Sequence, residues 1–159
     1  MKMKIINTQR LYLRSFIEDD INSLKEMMTD EEVMRFTRLK CAQSEDVIKR
    51  CLMQWSQDQE VWACVEKESD QVIGWAMLKK TTSDDPELGF MLIKKVWSKG
   101  FATEISKSLI SYAIDVLKVN KIIAFVSFEN EASKKVLKKV GMKEVCAPHL
   151  DKESLFIRH

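Results

Sequence analysis

From Gly100 onward, apolar residues return every fourth position at Phe101, Ile105, Leu109, Ala113 and Leu117. At 3.6 residues per turn they share one stripe, so the segment predicts a long helix with a single buried face. The β-rich run ELGFMLI (residues 87–93) stands before it, and KIIAFVS (residues 121–127), a continuous apolar run of strand length, follows it. Strand, helix and strand in this order demand a crossover that lays the helix on a sheet. The second half of the chain must therefore be built around a βαβ-like unit.

The remaining segments fit around that unit. TQRLYLRSF (residues 8–16) alternates Leu11 and Leu13 with polar neighbours and predicts the first strand. An acidic start precedes Ile21, Leu24, Met27 and Met28 at helical spacing, and a second helical piece runs from Glu31 to near Phe36. Ser44 is a suitable N-cap for a third helix through Val47, Ile48, Cys51, Leu52 and Trp55. Two β-rich runs around KESD (residues 67–70) predict an antiparallel hairpin, and SDDP breaks the chain before ELGFMLI. NEASKKVLKKVGM (residues 130–142) predicts a lysine-coated helix stopped at Gly141, followed by the short strands KEVCA and SLFIRH. The order is that of an α+β fold, and 159 residues suffice for a single domain spanning 1–159.

Composition narrows the function classes. Hydrophobic residues make up 45% and charged ones 31%, with four glycines and two prolines, which excludes a disordered or collagen-like chain. No apolar run approaches the ~18 residues of a membrane span, nor does MKMKIINTQRLYLRSF resemble a signal peptide, so a cytoplasmic protein with no membrane partner is expected. Cys41, Cys51, Cys64 and Cys146 lack CxxC spacing, and only His149 and His159 could join them, so no metal is expected. Between Lys94 and Lys143 stand eleven lysines, no arginine and four carboxylates, although the whole chain carries only +2. Aromatic residues are not interleaved with those lysines, which argues against nucleic acid and for a few of them facing a compact polyanion.

The glycine at the head of the long helix is the natural place for that anion. No P-loop, dinucleotide fingerprint, HExxH or GxSxG elbow is present. What remains is the turn VWSKGFATEI, where Ser98, Lys99, Gly100 and Ala102 lead into a helix N-terminus. Backbone amides aimed together from such a turn, backed by the helix dipole, form a nest for a pyrophosphate.

Taken together, ELGF, the turn WSKGFATE and the helix NEASKKVLKKVGM at these separations resemble the GNAT superfamily of acyl-CoA-dependent N-acyltransferases. TQRLYLRSF and TDEEVMRF extend the likeness, most closely to the ribosomal-protein N-terminal acetyltransferase-like branch, over nearly the whole chain. The resemblance implies a mixed, mostly antiparallel sheet flanked by helices, with two parallel strands splayed at the cofactor site. It implies acetyl-CoA as cofactor and an amine as acceptor, either a protein N-terminus or a small molecule, in a monomer or homodimer. A catalytically silent acyl-CoA-binding module of the same fold is the alternative.

Carried over residue by residue, the family's phosphate motif falls on Trp97 to Ala102. Amides of Ser98, Lys99, Gly100, Phe101, Ala102 and Thr103 would hold the pyrophosphate, with Ser98 standing where the branch usually has glycine. Met91, Leu92 and Ile93 match main-chain positions that contact the pantetheine arm. Asn130 and Ser133 match the start of the second cofactor helix, while Lys134 and Lys135 are candidates for the adenosine-side phosphate. Glu87 matches a carboxylate that deprotonates the amine through water, with Asp84 and Asp85 close by as substitutes. The family's tyrosine acid falls on Leu137, which leaves Ser133 as the group that would assist the leaving thiolate. The acceptor cleft is expected between the 29–40 region and the loops near Ser83.

Overall fold

The structure, a computed structural model, describes residues 5–159; residues 1–4, the start of the stretch without a leader-like run, lie outside it. The chain begins as a hairpin of β1 (Ile6–Asn7) and β2 (Leu11–Arg14). Leu11 and Leu13 turn inward as their alternation requires, but the strand stops at Arg14. There the guanidinium grips Asp20 with two bonds of 2.8 and 2.9 Å, and Asp20 also accepts the Ile17 amide at 2.9 Å. This closes the chain into a helical turn before α1 (Ile21–Met28).

The next two helices are set by their caps. Asp30 accepts the amides of Glu32 and Val33 at the head of the one-turn α2 (Glu31–Met34). Ser44 accepts the Val47 amide at 3.4 Å and starts α3 (Glu45–Gln57). Strands β3 (Val61–Glu66), β4 (Gln71–Lys80) and β5 (Pro86–Leu92) form the expected antiparallel run. The crossover α4 (Phe101–Asp115) leads to β6 (Ile122–Ser127), and α5 (Glu131–Lys139), β7 (Lys143–Val145) and β8 (Glu153–Arg158) complete the chain. The apolar stripe of α4 ends sooner than its repeat suggests. Lys118 adopts a left-handed φ of 57°, Val119 N donates back to Ala113 O, and Leu117 is left 44% exposed.

The eight strands form one sheet in the order β1-β2-β3-β4-β5-β6-β8-β7. Every neighbouring pair is antiparallel except β5 and β6. This matches the mixed, mostly antiparallel α+β sheet expected from the sequence. Helices cover both faces: Tyr112 of α4 meets Trp62 edge-on at 5.8 Å, while Trp55 of α3 packs on Trp75 at 5.3 Å. Trp75 and Ala76, the partner of Trp62, point to opposite sides of β4. The buried core follows from this, with Leu11, Leu13, Ile73, Ala76, Leu78 and Phe156 supplying the sheet and Ile105, Leu109 and Ala113 supplying α4.

Candidate active site

β5 and β6 run parallel but share a single paired position, Glu87 opposite Ile123. β5 is held on its other side by a seven-position ladder to β4, and β6 by a six-position ladder to β8. The two halves of the sheet therefore diverge beyond Glu87, leaving main-chain groups of β5 facing the gap. Two cavities open there, of about 320 and 610 Å³, and they share Phe36, Thr37, Phe90, Met91, Asn130 and Ser133 in their walls. Together they form one cleft with two ends.

The larger end leads to the turn before α4. Ser98 and Gly100 both take left-handed backbone, with φ of 62° and 83°. The first helical bond of α4 is Glu104 N to Gly100 O, and the amides of Ser98 to Thr103 donate to no acceptor among the described residues. Six donors in succession at a helix N-terminus make a strong anion nest. The turn is held from behind by a residue 89 positions away, Arg10, whose Nη1 donates to Lys99 O at 2.9 Å. Arg10 Nε and N donate to Glu104 at 2.8 and 2.7 Å, Thr8 Oγ1 adds a third bond at 2.8 Å, and the guanidinium lies 4.0 Å over the Phe101 ring. Burial pushes the Glu104 carboxyl up, but these donors outweigh it and hold it below the usual carboxylate range.

The sequence-predicted residues distribute unevenly along this arm. Met91, Leu92, Ser98, Gly100, Phe101, Ala102, Thr103, Asn130, Ser133 and Lys135 line it. Lys99 contributes its backbone only to the turn, and its carbonyl is occupied by Arg10. Ile93 is buried, and its amide is spent on Ile73 O at 2.9 Å. Lys134 turns away from the cleft to Glu131 and Glu144, both at 3.8 Å, and lies near the Phe128 ring. Lys139, one helical turn beyond Lys135, lines the arm instead. Asn130 caps α5 by accepting the Ser133 amide at 3.2 Å, which leaves the Ser133 hydroxyl at the junction of the two cavities. Leu137 is buried in the wall of the smaller cavity.

The smaller end lies on one face of the sheet. Strand alternation and register place Trp75, Met77, Glu87, Gly89, Met91, Phe125, Ser127 and Glu153 together on that face. Met28, Met34, Phe36, Thr37, Arg38, Leu39 and Trp55 roof it, so the 29–40 region does close this end. The loop near Ser83 does not line it, and Asp85 pairs with Lys121 at 3.6 Å. Only 12% of the Glu87 side chain is exposed, and its Oε1 accepts Arg38 Nη2 at 2.9 Å. Burial pushes its carboxyl above the usual range, Arg38 pulls it down, and Glu153 pushes it up again, for a net rise. Oε2 of Glu87 has no hydrogen-bond partner among the described residues.

The family model described as "Acetyltransferase (GNAT) domain" matches residues 10–143, which takes in both ends of this cleft. The chain belongs to the GNAT acetyltransferase family. It is similar to the Bacillus licheniformis protein named "Uncharacterized N-acetyltransferase p20", 28% identical over 149 residues spanning 89% of this chain and 84% of that protein. The GNAT acetyltransferase structure from Bacillus anthracis superposes with a TM-score of 0.87 at 22% identity, covering 98% of each chain. That of RimL, a ribosomal L7/L12 alpha-N-protein acetyltransferase in complex with coenzyme A, superposes at 0.78 with 12% identity, covering 98% of this chain and 97% of that one. The activity is that of an acetyl-CoA-dependent N-acetyltransferase. The cleft fits its cofactor: the six unpartnered amides suit a pyrophosphate, Lys135 and Lys139 suit further phosphate, and the open edge of β5 suits an amide-bearing arm.

Two substitutions test the phosphate turn. Gly100→Val puts a β-branched residue at a φ of 83°, with its Cβ 3.4 Å from Arg10 Nη2. A turn that relaxes to avoid this strain of roughly 1–3 kcal/mol loses its aimed amides, so the acetyl-CoA dissociation constant should rise by up to about 150-fold, measured by calorimetry on folded protein. Ser98→Gly removes a left-handed penalty of roughly 1–2 kcal/mol at an added backbone entropy of about 0.5–1 kcal/mol, so it should raise stability in urea by about 0.5–1 kcal/mol.

Proposed function

We propose that this acetyltransferase acts on a small primary amine held at the smaller end of the cleft, with Glu87 as general base and Ser133 assisting the leaving sulfur. The observation that carries this reading is the junction of the cavities, where the phosphate arm reaches the wall that Asn130 and Ser133 share with the Glu87 end. Acetyl-CoA supplies an acyl carbon already activated as a thioester. An acceptor amine arrives as an ammonium, with a reference pKa near ~10.4 for an alkylamine, and cannot attack until it loses a proton. Glu87 Oε2 is placed to take that proton directly or through one water. Burial raises the affinity of this carboxylate for a proton and so strengthens it as a base.

Direct attack on the thioester is supported by what lines the cleft. No cysteine and no histidine is among its described lining residues, and the Ser133 hydroxyl makes no hydrogen bond to a carboxylate among the described residues that would activate it as a nucleophile. Its hydroxyl is suited instead to donating a hydrogen bond toward the departing sulfur. Since Leu137 occupies the position of the family's tyrosine, this donor has no phenol to compete with it. The cavity of about 320 Å³, walled largely by methionine and aromatic side chains, has room for a small amine.

Glu87→Gln keeps the shape and removes the proton acceptor. Turnover should fall by roughly 10²–10⁴ at neutral pH while acetyl-CoA affinity stays constant. The sign of the pH dependence follows from the raised carboxyl. The acid limb of wild-type kcat should lie above ~4.3, and Glu87→Gln should lose that limb and recover as the pH rises and the amine neutralises itself. An unchanged rate in folded Glu87→Gln from pH 6 to 9 would remove Glu87 from the mechanism. Ser133→Ala should cost about 1–3 kcal/mol of transition-state stabilisation, read from kcat, with no recovery at alkaline pH.

A further inference from the structure

The acceptor end contains a feature that a general amine site does not require. Glu87 is fixed on β5 and nearly enclosed, yet its partner Arg38 sits on the roof segment after α2 with 66% of its side chain exposed. The pair joins a largely buried carboxylate to an exposed guanidinium inside the cavity proposed to take the acceptor. Phe125 flanks the guanidinium at 5.8 Å.

We propose that the acceptor is a free α-amino acid with an apolar side chain, whose ammonium meets Glu87 and whose carboxylate is taken by Arg38. The inference rests on the acetyltransferase reading above and deepens it by naming the substrate class. An α-amino acid carries the complement of this ion pair on a single carbon. Inserting it opens one exposed contact, which is cheap to break, and replaces it with two charge-assisted contacts. Arg38 is free to swing with the carboxylate while Glu87 stays aimed at the nitrogen.

The side-chain preference follows from the rest of the wall. Met28, Met34, Phe36, Trp55, Trp75 and Phe125 surround the space, and about 320 Å³ holds a phenylalanine- or methionine-sized body. The charged residues lining this cavity are Arg38, Glu87 and Glu153. An acidic side chain would face Glu153, whereas a polycation has no group to offer the Arg38 guanidinium. A peptide N-terminus lacks the α-carboxylate that Arg38 is placed to hold.

The chemistry balances without another reactant. The ammonium gives one proton to Glu87 and thence to solvent, and the neutral nitrogen forms a bond to the acyl carbon as the carbon–sulfur bond breaks. The second nitrogen proton passes to the departing sulfur. The products are the N-acetyl amino acid and free coenzyme A, with one proton released.

The test compares L-phenylalanine and L-methionine with their amides, with phenethylamine, with spermidine and with a phenylalanine-initiated tripeptide, following thiol release from acetyl-CoA. In the wild type, kcat/KM for the free acids should exceed that for the amides by about tenfold or more, the size of one charged hydrogen bond. Arg38→Met should erase this margin, with the acids losing more in KM than the amides do. Because Arg38 also pulls the Glu87 carboxyl down, its removal should move the acid limb to higher pH for acids and amides alike, so the readout is the acid-to-amide ratio of kcat/KM compared at one pH. A retained acid preference in Arg38→Met, equal use of acids and amides by the wild type, or a preference for spermidine or the tripeptide would overturn the proposal while leaving the acetyltransferase reading intact. Failure of every amine, with acetyl-CoA still bound by calorimetry, would overturn both.

Discussion

The separation of β5 from β6 is the constraint on which the rest of the site depends. A parallel pair that stops at Glu87 and Ile123 leaves peptide groups in the middle of a sheet without the partners that buried backbone ordinarily has. The ladders to β4 and β8 hold the two strands apart, so the gap cannot close by simple relaxation. A ligand with amides of its own can satisfy those groups, and the strands then act as a template for an extended chain. The same divergence fixes both ends of the reaction. Glu87 is the last paired position, so the proposed base sits where the gap begins, and the proposed phosphate turn sits where β5 gives way to α4.

The phosphate turn shows how strain is supported from elsewhere in the chain. Two left-handed residues at Ser98 and Gly100 are needed to aim successive amides outward, and only one of them is glycine. The other conformation persists because the turn is tied down: Arg10 holds the Lys99 carbonyl and stacks on Phe101, while Glu104 anchors Arg10 and Thr8. A nest organised before the ligand arrives spends less of the binding energy on ordering the loop. The edge of the sheet at β1 and β2 therefore serves the cofactor site without touching it.

Local features of this arrangement were legible in the sequence, and distant contacts were not. The α4 stripe, the Ser44 and Asn130 caps and the KESD hairpin are written in residues a few positions apart, where helical and strand periods apply. The pattern ELGF, WSKGFATE and NEAS placed the cleft because its parts meet along one crossover. Arg10 and Arg38 had no such signature, since their partners Glu104 and Glu87 lie 94 and 49 residues away. The lysine helix was ambiguous for a related reason. Consecutive residues diverge by about 100° around a helix, so Lys134 and Lys135 could not both face the cleft, and carboxylates on α5 and β7 decided which turned away.

The electrostatics of Glu87 join these levels. Enclosure by Trp75, Met77 and the roof would by itself favour the neutral acid, which cannot accept a proton, and Arg38 restores part of the charged form from the opposite wall. The guanidinium thus has two consequences that pull apart. It favours the charged form of Glu87 in the empty cleft, and it fills the place where the proposed ammonium would sit. The proposed acceptor, bearing its own carboxylate, would resolve the conflict: it would draw Arg38 away from Glu87 at the moment its ammonium replaces the lost positive charge. Desolvation of the carboxylate would then act on the new pair, where the raised affinity of Glu87 for a proton would turn the bound ammonium into a nucleophile.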